Sequence, residues 1–407
     1  MRRSSIVLLI IGVVLIAGAV VFRLVAPSQL VKYPPSNFNS DAPAAHATGK
    51  FTLFLLPSPL PPAQPKTYTP APNGVPFDLD IQRSLHSVSN NGSNATIGED
   101  DNNTIGPFPK QDFKQQYVMD RTSLKSVQSN ESWAYSPQSV VNRAPNYTIN
   151  LPFGTGDGPY NIWKNETGSA YPFNKEGEDS VNGTTVFNFH GTLTNAPVQS
   201  YYIDQLAAAG VKEEFTITQL APVLKAQGID VTGLTTALLP QLNAADRATI
   251  VALIAKAIPM KYTLDVDTHL QVEPTTGAIV NLQRINQTLF VRPNLSAFGQ
   301  LDQILSQHPT IPAAKAALNG LNQIKTGPPI KVLNLDYGQL PDSVSQVTSY
   351  AQTQADKIDL VKKWIPLGLL VLGVILVIIA VVISVVSRRR GAATPPGGGT
   401  EPAATRT

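Results

Sequence analysis

Lys261–Val291 reads KYTLDVDTHLQVEPTTGAIVNLQRINQTLFV, and its alternation decides the fold. Tyr262, Leu264, Val266, Thr268, Leu270 and Val272 recur at every second position, which places them on one face of an extended strand. Pro274 to Gly277 supplies turn chemistry, and a partner strand is expected from Ala278 to Val291. The opposite face of the first strand carries Asp265, Asp267 and His269. Carboxylates and an imidazole at this spacing can chelate a metal, but a one-sided antiparallel strand shows the same pattern to water. The solvent face is the expected reading.

Working outward, the same period recurs in KFTLFLL (Lys50 to Leu56), QQYVMDRTS (from Gln115), NYTINLPF (from Asn146) and TTVFNFHGTL (Thr184 to Leu193). Two intervening stretches read as irregular. Pro57 to Pro76, PSPLPPAQPKTYTPAPNGVP, is expected to be a polyproline-type connector excluded from sheet interiors. Ser87 to Gly106 is polar, and Glu99, Asp100 and Asp101 are expected at a solvated loop tip. GTGDG, Gly154 to Gly158, lacks the strand-to-helix context of a dinucleotide site and reads as a turn.

Residues 202–259 are rich in Ala and Leu and are interrupted at Gly210, Gly228, Gly233, Pro240 and Pro259, which predicts several short helices. Asn243 is suited to cap one of them, and Ile250, Leu253, Ile254 and Ala257 then form an apolar stripe. The stripe either packs against neighbouring helices or serves as an apolar, lipid-facing gate. Further helices are expected at Ala297 to Gln307 and Pro312 to Ile324. Another should start at Asp342 and run towards Lys363, with a kink or restart at Pro366.

Both ends of the chain are apolar. Ile365 to Val386 carries no charge and spans about 33 Å as a helix, enough for a hydrocarbon core of about 30 Å. Ile6 to Phe22 follows Arg2 and Arg3 and reads as an uncleaved signal anchor, with a cleavable signal peptide as the alternative. Arg2, Arg3 and Arg388 to Arg390 favour both termini inside, against opposing votes from Arg23, Lys362 and Lys363. The expected layout is a cytoplasmic N-terminus (1–5), a first span (6–22), an extracytoplasmic domain (23–363) with a helical insertion (202–259), a second span (364–386) and a disordered cytoplasmic tail (387–407). The net charge of +3 is the sum of +5 on the two cytoplasmic ends and −2 on residues 23–363, so it is a topology signal and no nucleic-acid partner is expected. Without cysteine, the outer domain must hold together by its core alone.

Chemistry-bearing motifs are scarce. There is no Gly-x-Ser-x-Gly elbow, Walker loop or HExxH pair, and the histidines at 46, 86, 190, 269 and 308 show no metal-ligand spacing. No catalytic residue, metal or cofactor is expected.

LVKYP after the first span, YVMDRTSLKSVQSNESWAYSPQ, the GEDSVNG element at Gly177 to Gly183 and EPTTGAIV at Glu273 to Val280 together resemble the actinobacterial membrane proteins labelled "porin PorA family". The resemblance covers most of the chain. It implies an envelope protein linked to lipoglycan assembly, and the two-span layout is similar to that of class B scavenger receptors, which carry lipid through an internal tunnel. Within these motifs Asp120 and Arg121 are expected to form a charge pair, Glu178 and Gly183 to bracket a strand entry, and Gly183 and Gly277 to serve turns.

The expected fold class is therefore α+β, with a β-rich antiparallel outer domain, barrel-like or sandwich-like, and short amphipathic helices flanked by two transmembrane helices. The expected function is non-enzymatic binding or transfer of a membrane lipid or lipoglycan at the outer face of the plasma membrane. The alternatives are a scaffold binding an envelope protein partner and, third, a glycan-acting enzyme.

Overall fold

The computed structural model describes residues 3–35, 38–61 and 65–391. Arg2, the side chains of Arg3 and of Arg388 to Arg390, on which the orientation reading rests, and the tail from residue 392 lie outside the described residues. The chain divides into two units, residues 1–32 with 355–407, and residues 33–354.

In chain order, α1 (Arg3–Leu30) is followed by α2 (Phe38–Asp41), β1 (Ala45–Ser58), β2 (Thr67–Asn91), β3 (Asn94–Ile105), β4 (Gln111–Asp120) and β5 (Trp133–Ala134). Next come β6 (Tyr160–Lys164), β7 (Ser169–Val181), β8 (Thr184–Pro197), α3 (Ser200–Gln205), β9 (Glu214–Thr216), α4 (Ile217–Ala226), α5 (Val231–Leu238) and α6 (Ala244–Ala255). The hairpin β10 (Ala257–Glu273) and β11 (Ala278–Pro293), α7 (Gly299–Gln307), α8 (Pro312–Thr326), β12 (Ile330–Gln339), α9 (Pro341–Asp359) and α10 (Ile365–Gly391) complete the order.

In the terminal unit α1 packs on α10. Their outward side chains are bare, with Val14 62% and Ile378 56% exposed. Each such side chain is worth about 1.5–3 kcal/mol when removed from water, so the pair belongs in hydrocarbon. A Cβ built on Gly12 would lie 2.8 Å from the Gly373 carbonyl, and one on Gly373 would lie 2.8 Å from the Gly12 carbonyl, so the backbones meet where both residues lack side chains. Ahead of α10, Leu360–Trp364 forms a π turn. The helix thus absorbs the missing N–H and bulky ring of Pro366 by widening one turn, where a kink or restart was expected.

The larger unit is built on one antiparallel sheet, a half-barrel in the order β5-β4-β3-β2-β1-β12-β11-β10-β8-β7-β6, with β9 paired to the start of β10. The β10–β11 hairpin follows the alternation read from the sequence, and Tyr262, Leu264, Val266, Thr268, Leu270 and Val272 are all buried. They join Phe51, Leu53, Leu79, Phe173, Phe189, Leu289 and Leu333 in the main core. A second cluster, including Leu238, Leu242, Ile250, Ile304, Leu305 and Ala314, holds the helices together.

Three local readings are corrected. The proline-rich stretch contributes to two strands: Pro70 pairs with Leu55 and Pro76 with Thr52. Prolines are tolerated there because β3 pairs with β2 only from Leu79 onward, so Thr67 to Pro76 donates to no second neighbour. The acidic stretch is strand as well: Glu99 and Asp101 are 2% and 6% exposed. Lastly, NYTINLPF is irregular, held by isolated bridges from Tyr147 to Ile162 and from Asn150 to Ala278.

Candidate functional site

β3 turns Ile97, Glu99, Asp101, Asn103 and Ile105 to the inside of the sheet. Register then assigns partners. Asp101 lies opposite Arg83 of β2, and Glu99 lies opposite Gln115 of β4. Arg83 grips Asp101 with two bonds, Nε to Oδ1 at 2.8 Å and Nη2 to Oδ2 at 2.9 Å, and its Nε is also 3.1 Å from Glu99 Oε1. Glu99 further accepts from Gln115 Nε2 at 3.2 Å and from the Tyr117 hydroxyl. The network leaves β4 through the Asn165 amide, which donates to Gln115. Asn165 in turn accepts from Arg143 Nε at 3.0 Å and from the Trp163 indole at 3.0 Å.

Arg143 is fully buried and has no exposed side-chain surface. Its other donors reach the Gln116 carbonyl at 2.9 Å, the Ser132 hydroxyl at 2.6 Å and the Trp133 carbonyl at 2.9 Å, and its guanidinium lies 4.6 Å from the Tyr117 ring centre. β4 and β6 stand near opposite ends of the sheet order. Gln115, Asn165 and Arg143 therefore join through side chains what no strand ladder closes.

Within this closure lies a cavity of about 330 Å³, in the range typical of small-molecule sites. Phe51, Leu79, Ile81, Leu270 and Leu335 contribute apolar lining, while Arg83, Glu99, Asp101 and Gln115, and the Lys164–Glu166 ion pair, contribute charged and polar lining. Five buried polar atoms of lining residues have no hydrogen-bond partner among the described residues: Asn103 Oδ1, Gln111 Nε2, Thr148 Oγ1, Gln287 Oε1 and the Tyr350 hydroxyl. Native proteins rarely leave such atoms unmatched, so they are suited to meet polar groups brought by a ligand or by water.

Burial pushes Glu99 up to about 7, with Asp101 adding to the effect and the Arg83 charge opposing it. For Arg83, burial acts downward, but Asp101 and Glu99 outweigh it and hold the guanidinium above its usual range. The site thus holds a carboxyl group near neutrality beside a paired carboxylate.

The residues singled out in the sequence lie elsewhere. Ile250 and Ile254 line a separate apolar pocket of about 90 Å³ among the helices; Leu253 is half-buried outside that lining, and Ala257 is exposed at the start of β10, where the helix has ended. Among the described residues, none lines both cavities. Asp120 and Arg121 bond separately: the Asp120 carboxylate accepts from Thr122 and Ser123, at 2.7 Å from the Ser123 N–H, while Arg121 Nε donates to the Tyr33 carbonyl at 3.0 Å. Neighbouring side chains on a strand end point apart, which rules out the expected pair. Glu178 bonds Lys175 at 2.8 Å on the surface. Asn182 and Gly183, at φ +50° and +80°, form the β7–β8 turn, and Gly277, at φ +72°, faces Leu151.

Sequence reading missed Arg83, Glu99, Asp101, Gln115 and Arg143. The usable signal was Ile97 and Ile105, which frame Glu99, Asp101 and Asn103 at even spacing and so mark a strand with a polar inner face.

A comparison with curated proteins gives no match. The family model described as Porin PorA matches residues 4–382, from α1 through the sheet and its closure into α10. With that match running through nearly all of the described fold, the chain belongs to the Porin PorA family.

Proposed function

We propose that the protein is a non-enzymatic component of the cell envelope that binds or transfers an amphiphile, a membrane lipid or lipoglycan, through the cavity of its outer domain. The supporting observation is the cavity's mixed lining: apolar side chains such as Phe51, Leu79 and Leu270 on the one hand, and on the other the Arg83, Glu99, Asp101 and Gln115 cluster with unmatched polar atoms. Acyl chain fits the first and a polar head the second. Two candidate spans supply membrane attachment, and in this reading both termini are cytoplasmic and residues 33–354 face outward. A strand-built pore fits less well. The sheet faces its apolar side chains inward, while its other face carries Lys50 with Asp78 and Arg284 with Asp336, charges unsuited to contact with lipid.

Photo-crosslinking tests the reading. Cells fed a diazirine fatty acid should yield full-length protein with adducts on peptides of β3, β4 and β10, reduced by Leu270→Trp, which fills the cavity. Adducts confined to α1 and α10 would refute it.

A second reading, cleavage of a glycan, is favoured by one feature: a carboxyl held near neutrality beside a second carboxyl group, two such groups being what glycoside hydrolysis uses. It predicts release of reducing ends from envelope lipoglycan that Glu99→Gln abolishes. Occupation of both carboxylates by Arg83 ranks it second.

A further inference from the structure

The outer face of the sheet gathers two histidines that lie 79 positions apart in sequence, a separation that follows from their numbers. His190 of β8 and His269 of β10 are direct cross-strand partners. Their rings stack with centres 4.2 Å apart and planes 7° from parallel. Glu176 of β7 completes the group: one ligand atom each from Glu176, His190 and His269 lie within 4.8 Å of one another.

Two further features distinguish the group from an ordinary wet face. Pairing between β7 and β8 slips between Lys175 and Gly177, so Glu176 is the extra residue of a β-bulge. Bulges re-aim a side chain, and here the carboxylate reaches His190, with Oε1 2.9 Å from Nδ1. The other ring nitrogen, Nε2, is 2.6 Å from Asp267 Oδ1. A metal-bound histidine commonly donates its second N–H to a carboxylate, which fixes the tautomer and leaves the first nitrogen's lone pair for the ion. His190 is arranged in this way, with Nδ1 towards Glu176 and Nε2 towards Asp267.

We propose that Glu176, His190 and His269 form a binding site for a divalent late transition-metal ion, with zinc as the fitting occupant and Asp267 as the residue that orients His190. Two imidazoles and a carboxylate are the donor set of open zinc sites and leave a fourth position for water or another ligand. Zinc bond lengths of about 2.0–2.1 Å put tetrahedral ligand atoms about 3.3 Å apart, so the group closes on the ion when the stacked rings turn until their in-plane nitrogens converge, within a fixed strand frame. The site lies on the face opposite the buried stripe of β10 and is independent of the cavity reading.

The test is calorimetric titration of ZnCl₂ into the full chain in detergent micelles, carrying a tag without histidine, followed by CoCl₂ with visible absorption as a report of coordination. One equivalent should bind, with an intense tetrahedral cobalt band. His190→Ala/His269→Ala and Glu176→Gln should each lose the band, and Asp267→Asn should weaken binding about 10–100-fold. His46→Ala, which removes a ring paired with Asp80, should change nothing. Glu176 lies on the surface, so its variant keeps the test decisive if the double histidine variant unfolds. No binding by the natural chain, or equal binding by the double variant and by Glu176→Gln, overturns the proposal.

Discussion

Arg143 donates to Asn165 across the gap between the two ends of the sheet, 3.0 Å from Nε to Oδ1, and it does so while wholly buried. Burial draws its pKa below the usual guanidinium value, although Tyr117 and Glu99 act against that. No carboxylate touches it directly in the bonds described; four oxygens from Gln116, Ser132, Trp133 and Asn165 share its donors.

Arg143→Met should therefore remove a donor from four acceptors, of which Asn165 Oδ1 keeps its bond from the Trp163 indole. Each buried unsatisfied group costs about 1–3 kcal/mol, so a loss of at least about 3 kcal/mol is expected. Arg143→Lys keeps the charge but not the planar fork, and is expected to lose nearly as much. Urea unfolding of the full chain, followed by fluorescence of the neighbouring Trp133 and Trp163, measures both. A loss below about 1 kcal/mol would show that the closure is carried elsewhere.

Glu99 makes stability depend on pH. Its folded value of about 7 lies above the ordinary carboxyl range, chiefly through burial. As pH rises, the unfolded chain releases this proton near about 4.3 while the folded chain keeps it to about 7. Stability from this group is thus fully present below the unfolded value, falls through the interval and stays low above it. His190 acts in the same direction: burial draws it down, but bonds to Asp267 and Glu176 prevail and raise it. The difference between the natural chain and Glu99→Gln isolates the carboxyl. Melting temperature should fall less for the variant between about pH 5 and pH 8, and parallel curves would exclude Glu99 as the cause.

Gly183 and Gly277 share a positive φ, +80° and +72°, but not their surroundings. A Cβ on Gly183 meets nothing within 4 Å, whereas one on Gly277 would lie 2.0 Å from the Leu151 carbonyl. Gly183→Ala should cost only left-handed strain, about 1–2 kcal/mol. Gly277→Ala should cost more, because the Leu151 N–H also donates to the Gly277 carbonyl at 2.8 Å and that contact must shift. Equal losses in chemical denaturation would mean that the loop at Leu151 yields freely.

Those two glycines show what the sequence makes legible and what it does not. Turn residues and period-two stripes are local properties, so the hairpin of Tyr262 to Val291, the turn at Gly183 and the short helices with their Asn243 cap were readable in advance. Glu99 and Asp101 were misplaced because a buried polar strand has the composition of a loop; partners on neighbouring strands, Arg83 for both and Gln115 and Tyr117 for Glu99, make burial tolerable. Prolines at 70 and 76 misled for a related reason, since their tolerance depends on a neighbour strand being absent on one side. His190 and His269 meet only through register, which no spacing rule along the chain encodes. Fold class is a sum of local patterns, whereas the candidate sites are products of pairing.

Close approach of α1 and α10 gives the last prediction. With no native cysteine, an introduced pair reports on packing without background. A Cβ on Gly373 would stand 2.8 Å from Ile16 Cγ1, 3.1 Å from the Ile16 backbone nitrogen and 2.8 Å from the Gly12 carbonyl. Once the helices give by the few tenths of an ångström that one added Cβ requires, Gly373→Cys with Ile16→Cys places two sulfurs within bonding reach, whereas a full leucine side chain needs far more room. Mild oxidation of that double variant in membranes should produce a cross-link between the spans, visible after proteolysis of the intervening domain as two fragments that part on reduction. Adding Gly12→Leu should suppress it, because the new side chain lands on the Gly373 carbonyl and on Val377, each 2.8 Å from its Cβ. Helices in lipid associate by close packing at small residues, with no hydrophobic force to compensate for a clash. Undiminished cross-linking in the Gly12→Leu background would show that the spans meet along another face.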